Sequence, residues 1–177
     1  MLSRLSFALV LTIRLIAAGR QDGPPDEYQV KAAFLYNFAK FVEWPPEAFE
    51  NPGGSLVVCV LGADPFGRAL DDVVEGKKID GRALTVRRIA DARQAKGCRM
   101  LFVSSSERRS VLSVLAGINE SGVLTVGESD SATAEGMIIN FILEGAKIRF
   151  VVNMAAAERE KLRFSSRLLS LAIIVRK

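Results

Sequence analysis

Cys59 and Cys98 are the only thiols in a chain of 177 residues that contains no histidine. Without an imidazole there is no Ser–His or Cys–His pair to activate a nucleophile, and two cysteines alone cannot complete a four-thiolate zinc site. What two cysteines can do is bridge. Cys59 falls inside the apolar run 56–61 and Cys98 just before a second run, 99–104. If those runs are neighbouring strands, the two Cα atoms come within bridging range. A loop of this length then contributes about 4 kcal/mol on the chain-entropy account, a large share of a small domain's stability. An even cysteine count suits an exported domain, and two inert buried thiols are the alternative.

The remaining chemistry-bearing residues cluster in short polar segments. Gly62 and Gly67 have the spacing of a phosphate loop, but Arg68-Ala69 replace the Lys and Ser/Thr that would hold phosphate and magnesium, and Asp64 would repel an anion. The glycines therefore read as turn residues. Residues 62–64, 104–106 and 127–130 should gather beyond the carboxyl ends of parallel strands, where open α/β sheets bind ligands. A module reading a small polar ligand at those loops is one functional reading, although hydroxyl-rich loops are also ordinary solvated turns. No base stands ready to activate their serines, so an enzyme is not expected, and no cofactor or metal is implied.

These loops need elements to position them. Residues 26–44 read as one helix, begun by Asp26 and Glu27 and stopped by Pro45-Pro46. Val30, Phe34, Phe38 and Phe41 share one face, but Ala32, Leu35, Ala39 and Val42 make the opposite side apolar too, so the helix needs cover on two sides. It holds both tyrosines and the single tryptophan, and Tyr36 and Trp44 are its candidate interface residues. The run 55–61 has the pattern of a strand buried on both faces. A helix follows through Leu70, Val73 and Val74, with Asp64 as its N-cap and Pro65 at its first position. Residues 84–87 alternate as a half-exposed edge strand would. Residues 91–97 form a short helix or turn, and 99–104 a second buried strand. A helix at 107–118 turns Val111, Leu112 and Leu115 inward, and a strand starts at 122. Residues 137–143 and 147–152 make an antiparallel hairpin about the turn 144–146. Asn153 can cap a closing helix from Met154 to about Ala172, either continuous or broken near Ser165-Ser166. The whole predicts one α/β domain: a mixed, mostly parallel sheet of about six strands with flanking helices, ending in the hairpin and a helix.

Residues 1–19 have a basic start at Arg4, an apolar run and the small trio 17–19, the pattern of a secretory leader, with 20–27 as a tether and 28–177 as the folded domain. Arg14 interrupts the run, and no apolar stretch approaches the roughly 18 residues of a membrane span. An exported protein meets neither ATP nor nucleic acid. Removing Arg4 and Arg14 lowers the net charge from +4 to +2, so bulk charge selects no partner. The last quarter is nevertheless rich in Lys and Arg, which suits an acidic partner, an anionic lipid surface or simply a solvated face.

Four blocks, residues 28–45 (YQVKAAFLYNFAKFVEWP), 136–141 (GMIINF), 149–153 (RFVVN) and 165–172 (SSRLLSLA), resemble the YfiR family of periplasmic regulatory proteins, in the family's order and over nearly the whole domain. The resemblance implies a binding protein without catalysis. It would hold an inner-membrane diguanylate cyclase, or another membrane sensor, inactive through its periplasmic domain, lowering cyclic di-GMP and biofilm formation. It also implies a homodimer and a structural bridge between Cys59 and Cys98; a second cysteine pair carried by some relatives is missing here. On this reading the first helix serves self-association, while Arg163, Arg167, Leu168 and Leu171 help form the regulatory surface.

Overall fold

The computed structural model describes residues 26–49, 53–118, 122–129 and 136–176, so the expected leader and most of the tether lie outside the described residues. The first helix, α1 (Glu27–Phe41), carries Glu27 in its first turn and Lys40 in its last, each complementing the helix dipole. It ends three residues before the expected stop. Val42–Glu43 leaves the helix as a short strand, β1, that pairs antiparallel with β9 (Arg163–Phe164). The amide of Ser165 also donates to the Phe41 carbonyl. A contact with residues more than a hundred positions away thus sets the boundary.

The main sheet has eight strands rather than about six. They are β2 (Leu56–Leu61), β3 (Lys78–Ile79), β4 (Arg82–Ile89), β5 (Cys98–Val103), β6 (Leu124–Gly127), β7 (Ile139–Glu144), β8 (Lys147–Asn153) and β10 (Ile173–Val175), in the order β10-β8-β7-β6-β5-β2-β4-β3. The strands from β4 through β2, β5 and β6 to β7 run parallel. β7 and β8 form the expected hairpin, with Glu144 opposite Lys147 and a two-residue turn. The two extra strands, β3 and β10, are two and three residues long. β3 covers only the start of β4, so most of β4 keeps the half-exposed alternation of an edge strand.

Both faces of the central strands are covered, and the period of two assigns each residue to a face. Leu56, Val58 and Val60 of β2, with Met100 and Phe102 of β5, point to one core. That core also takes Leu35 and Phe38 of α1 together with Leu70 and Val74 of α2 (Arg68–Val74). Cys59 and Leu61, with Leu101 and Val103, point to the other, closed by Val111 and Val114 of α3 (Val111–Gly117). α1 meets both the sheet and α2, which is the two-sided cover its composition demanded. Phe38 is fully buried, with its ring 5.0 Å from Phe150 and 5.7 Å from Phe141.

Three local expectations are corrected. The helix after β2 starts at Arg68, not Pro65, and Asp64 instead accepts from the Phe66 amide at 2.8 Å, organising the preceding turn. Residues 105–110 form a 3₁₀ helix before α3, which shifts the helical phase, so Val114 is buried while Leu112 is 66% exposed. The span of the expected closing helix holds three elements, α4 (Met154–Arg159), β9 and α5 (Ser166–Leu169), with β10 following it. Its start is as expected, with Asn153 Oδ1 accepting from the Ala156 amide at 3.1 Å. The break follows at Lys161, whose φ of 55° lies in the left-handed region.

Candidate interaction surface

β2 and β5 lie side by side, and their helices leave for opposite faces of the sheet; that is the topological switch point where such folds bind ligands. Here the loops bind one another. The Ala63 amide donates to Ser106 Oγ at 3.0 Å, the Gly62 amide to the Ile89 carbonyl at 3.2 Å, and the Ser105 amide to Glu128 Oε1 at 3.0 Å. Gly62 has φ 88°, and a Cβ there would lie 2.5 Å from Ser106 Oγ, so only glycine permits this approach. Asp130, the last residue of the third expected loop, lies outside the described residues.

Glu128 is the centre of this closure, and sequence reasoning passed over its role. Its side chain is 3% exposed, and its second oxygen accepts from Lys31 Nζ at 2.7 Å. Lys31 is buried too, pairs also with Glu27 one turn earlier, and lies 4.6 Å from the centre of the Tyr28 ring. Burial alone would lower the Lys31 pKa, but its hydrogen bonds to Glu128 and Glu27 outweigh that and raise it. Burial, reinforced by the Glu128 charge, raises Tyr28 as well. The signal in the sequence was a lysine inside the apolar arc of α1. From the neighbouring strand β4, Arg88 holds Asp64 at 2.8 Å and Asp71 at 2.6 Å, and the Arg88 hydrogen bonds keep Asp71 below its ordinary pKa despite some desolvation.

The bridge expected between Cys59 and Cys98 is present, with Cα atoms 5.8 Å apart and both residues fully buried. The Arg87 guanidinium reaches Cys98 Sγ at 3.1 Å and caps the carbonyls of Gln94 and Lys96. These contacts fix the end of the bridge on the α3 side of the sheet.

The residues expected to meet a partner fall in different environments. Trp44 is half-buried, and its indole N–H donates to the Arg99 carbonyl at 3.0 Å, tying the end of β1 to β5. Tyr36 is half-buried against the main core. Arg163 is exposed, 4.0 Å from Glu43 across the β1–β9 pair, and Arg167 is exposed with its guanidinium 5.5 Å from the Phe41 ring centre. Leu168 is 2% exposed and belongs to the core, whereas Leu171 is 59% exposed. The end of α5 at Leu169 separates the two leucines.

Leu171 has company that the sequence did not single out. Among the described residues four large apolar side chains are strongly exposed, and three of them, Leu143, Leu171 and Ile174, belong to β7, the approach to β10 and β10 itself. Leu143 lies two strands in from the edge, opposite Ile148 of β8, while Ile174 is on the edge strand itself, level with Val152; exposed Arg167 and Arg176 are near Leu171 and Ile174 in the chain. Large side chains left in water on the last strands, with cations near them in sequence, have the composition of a protein-recognition surface. Among the described residues no group of three His, Cys, Asp or Glu is placed to hold a metal, and no helix is long and apolar enough to cross a membrane.

The fold is a single α/β domain whose strand-end crevice is closed by its own side chains. The chain belongs to the YfiR/HmsC-like family, which it matches over residues 28–173. That family is regulatory rather than catalytic. Among solved structures, a conserved domain protein from Vibrio cholerae O1 biovar El Tor str. N16961 is similar at TM-score 0.55 and 10% identity, a likeness of fold alone. The likeness covers 84% of this chain, which spans about 60% of that protein's length. No curated protein matches the chain.

Proposed function

We propose that the chain is a non-catalytic periplasmic regulator that binds and represses the periplasmic sensor domain of an inner-membrane diguanylate cyclase, lowering cyclic di-GMP and biofilm formation. Family membership supports the class of function, and the exposed group Leu143, Leu171 and Ile174 is the observation that carries the docking surface. Leu168 leaves the proposed surface because it is core, and Leu143 and Ile174 join Arg163, Arg167 and Leu171. Trp44 acts behind that surface by anchoring β1 to β5. A homodimer remains part of the proposal, but the apolar girth of α1 is largely consumed by the sheet and α2, so Tyr36 is the main aromatic that α1 can still offer.

The test is co-purification of a tagged chain from membranes, followed by binding of the captured sensor domain to wild type and to Leu143→Asp/Leu171→Asp. Loss of capture with the fold intact is the expected result. Capture unchanged by the double variant would place the contact elsewhere. A ligand-reading module at the strand-end loops is the weaker alternative, because the amides of Gly62, Ala63 and Ser105 are already engaged within the protein.

A further inference from the structure

At the opposite end of the sheet from those loops, a cavity of about 210 Å³ opens at the amino-terminal ends of β6 and β7. Its walls come from both cores: Leu115, Ile118 and Val123 from the α3 side, Ile138 and Ala156 from the α1 side. Thr125 lies in the wall, with its hydroxyl oxygen accepting from the Ile138 amide at 3.1 Å, which leaves the hydroxyl proton free to donate. Arg159 and Glu160, from the end of α4, complete the lining. Their situations differ. Glu160 accepts from the Gly122 amide at 2.9 Å, whereas Arg159 has no hydrogen bond or ion pair among the described residues.

A chamber with one apolar wall, from Leu115, Ile118, Val123 and Ile138, and the exposed guanidinium of Arg159 at its polar side, where Glu160 is already engaged by the Gly122 amide, matches a ligand with a compact apolar body and one anionic end. We infer that this cavity is a binding site for a small monocarboxylate, its carboxylate paired with Arg159 and its hydrocarbon part lying against Leu115, Ile118, Val123 and Ile138. At the share of volume that a water molecule takes in the liquid, the enclosed space takes about seven non-hydrogen atoms, the rest of a longer ligand reaching its open mouth. The inference does not rest on the identity of the membrane partner. A ligand held there would join α3 to α4, and α4 leads directly into β9 and α5, which carry Arg163 and Arg167.

The test titrates the full chain with hexanoate and phenylacetate, with hexylammonium as the cation of matching size, following binding by calorimetry and by methyl NMR shifts of Leu115 and Ile138. Saturable binding of a carboxylate, with shifts confined to the cavity, is expected. Arg159→Gln, at an exposed position, should weaken it at least about tenfold, the loss typical of a charge-assisted hydrogen bond. Val123→Phe should abolish it by filling the chamber. Ile118→Trp, at a half-buried wall position, serves the same end should the Phe variant fail to fold. No saturable binding by either carboxylate, equal binding of hexylammonium, or affinity indifferent to Arg159→Gln would each overturn the inference and leave a water-filled cavity.

Discussion

The two places where this fold meets the outside differ in how they treat their own surface. At the carboxyl ends of the parallel strands every polar group named above has an internal partner: Ser106 with Ala63, Glu128 with Ser105 and Lys31, Arg88 with Asp64 and Asp71. At the β10 end of the sheet, by contrast, Leu143, Leu171 and Ile174 are left in water. In a fold class that usually reads ligands at its strand ends, the proposed recognition surface lies instead on the last strands. A buried ion pair adds little to stability compared with apolar packing, but once present it is costly to break. The strand-end cluster therefore acts as a rigid clamp on α1, and the edge is the part free to engage.

The sharpest break of this contrast comes from the two leucines once grouped together. Leu168→Asp should cost about 4 kcal/mol or more, because it places a charge in the core. Leu171→Asp should stay within about 0.5 kcal/mol, as exposed substitutions do, and urea unfolding of both variants measures the difference. Replacing Cys59 and Cys98 together by Ala, or reducing the bridge, should remove about 4 kcal/mol, read from the same unfolding curves. Glu128→Ala should cost about 3 kcal/mol by leaving Lys31 buried with only the more exposed Glu27.

The pH dependence follows from the same residues. Lys31 has a folded pKa raised above its ordinary 10.5, so its contribution is complete below that value and is lost as pH rises through the folded pKa. Alkaline unfolding should therefore move to lower pH in Glu128→Gln. Asp71 and Asp91 have lowered values, Asp91 at about 2, owing first to hydrogen bonds from Arg88 and Arg93 respectively. Their contribution is present above the ordinary carboxylate range and is lost as pH falls toward 2, so Asp91→Asn should flatten the acid limb slightly. A wild-type and an Asp91→Asn chain with identical acid limbs would remove that contribution.

Much of this architecture was legible because it depends on local pattern. The runs 56–61 and 99–104 announced buried strands, the even pair Cys59 and Cys98 suited a bridge if those strands were neighbours, and Asn153 announced a helix start. What the pattern lacked was information carried by distant contacts. β1 exists because β9 pairs with it, and β3 and β10 are too short to show a period of two. Lys161 adopts a left-handed backbone that its residue type does not announce, and the break beside it reversed the environment expected for Leu168. The edge surface was half visible: Leu171 and the arginines stood out by composition, whereas the exposure of Leu143 and Ile174 emerges only from the order of the strands.

The central claim is that recognition belongs to the β10 end of the sheet and that the strand-end cluster is structural. Its most direct test is the affinity of the membrane-captured sensor domain for two folded variants, Leu143→Asp/Leu171→Asp and Ser106→Ala, the latter removing the Ser106–Ala63 contact at the strand ends. A loss of at least about tenfold is expected for the edge variant, as for apolar residues central to an interface, with wild-type affinity for Ser106→Ala. The reverse order, with the edge variant binding normally and Ser106→Ala failing, would contradict it.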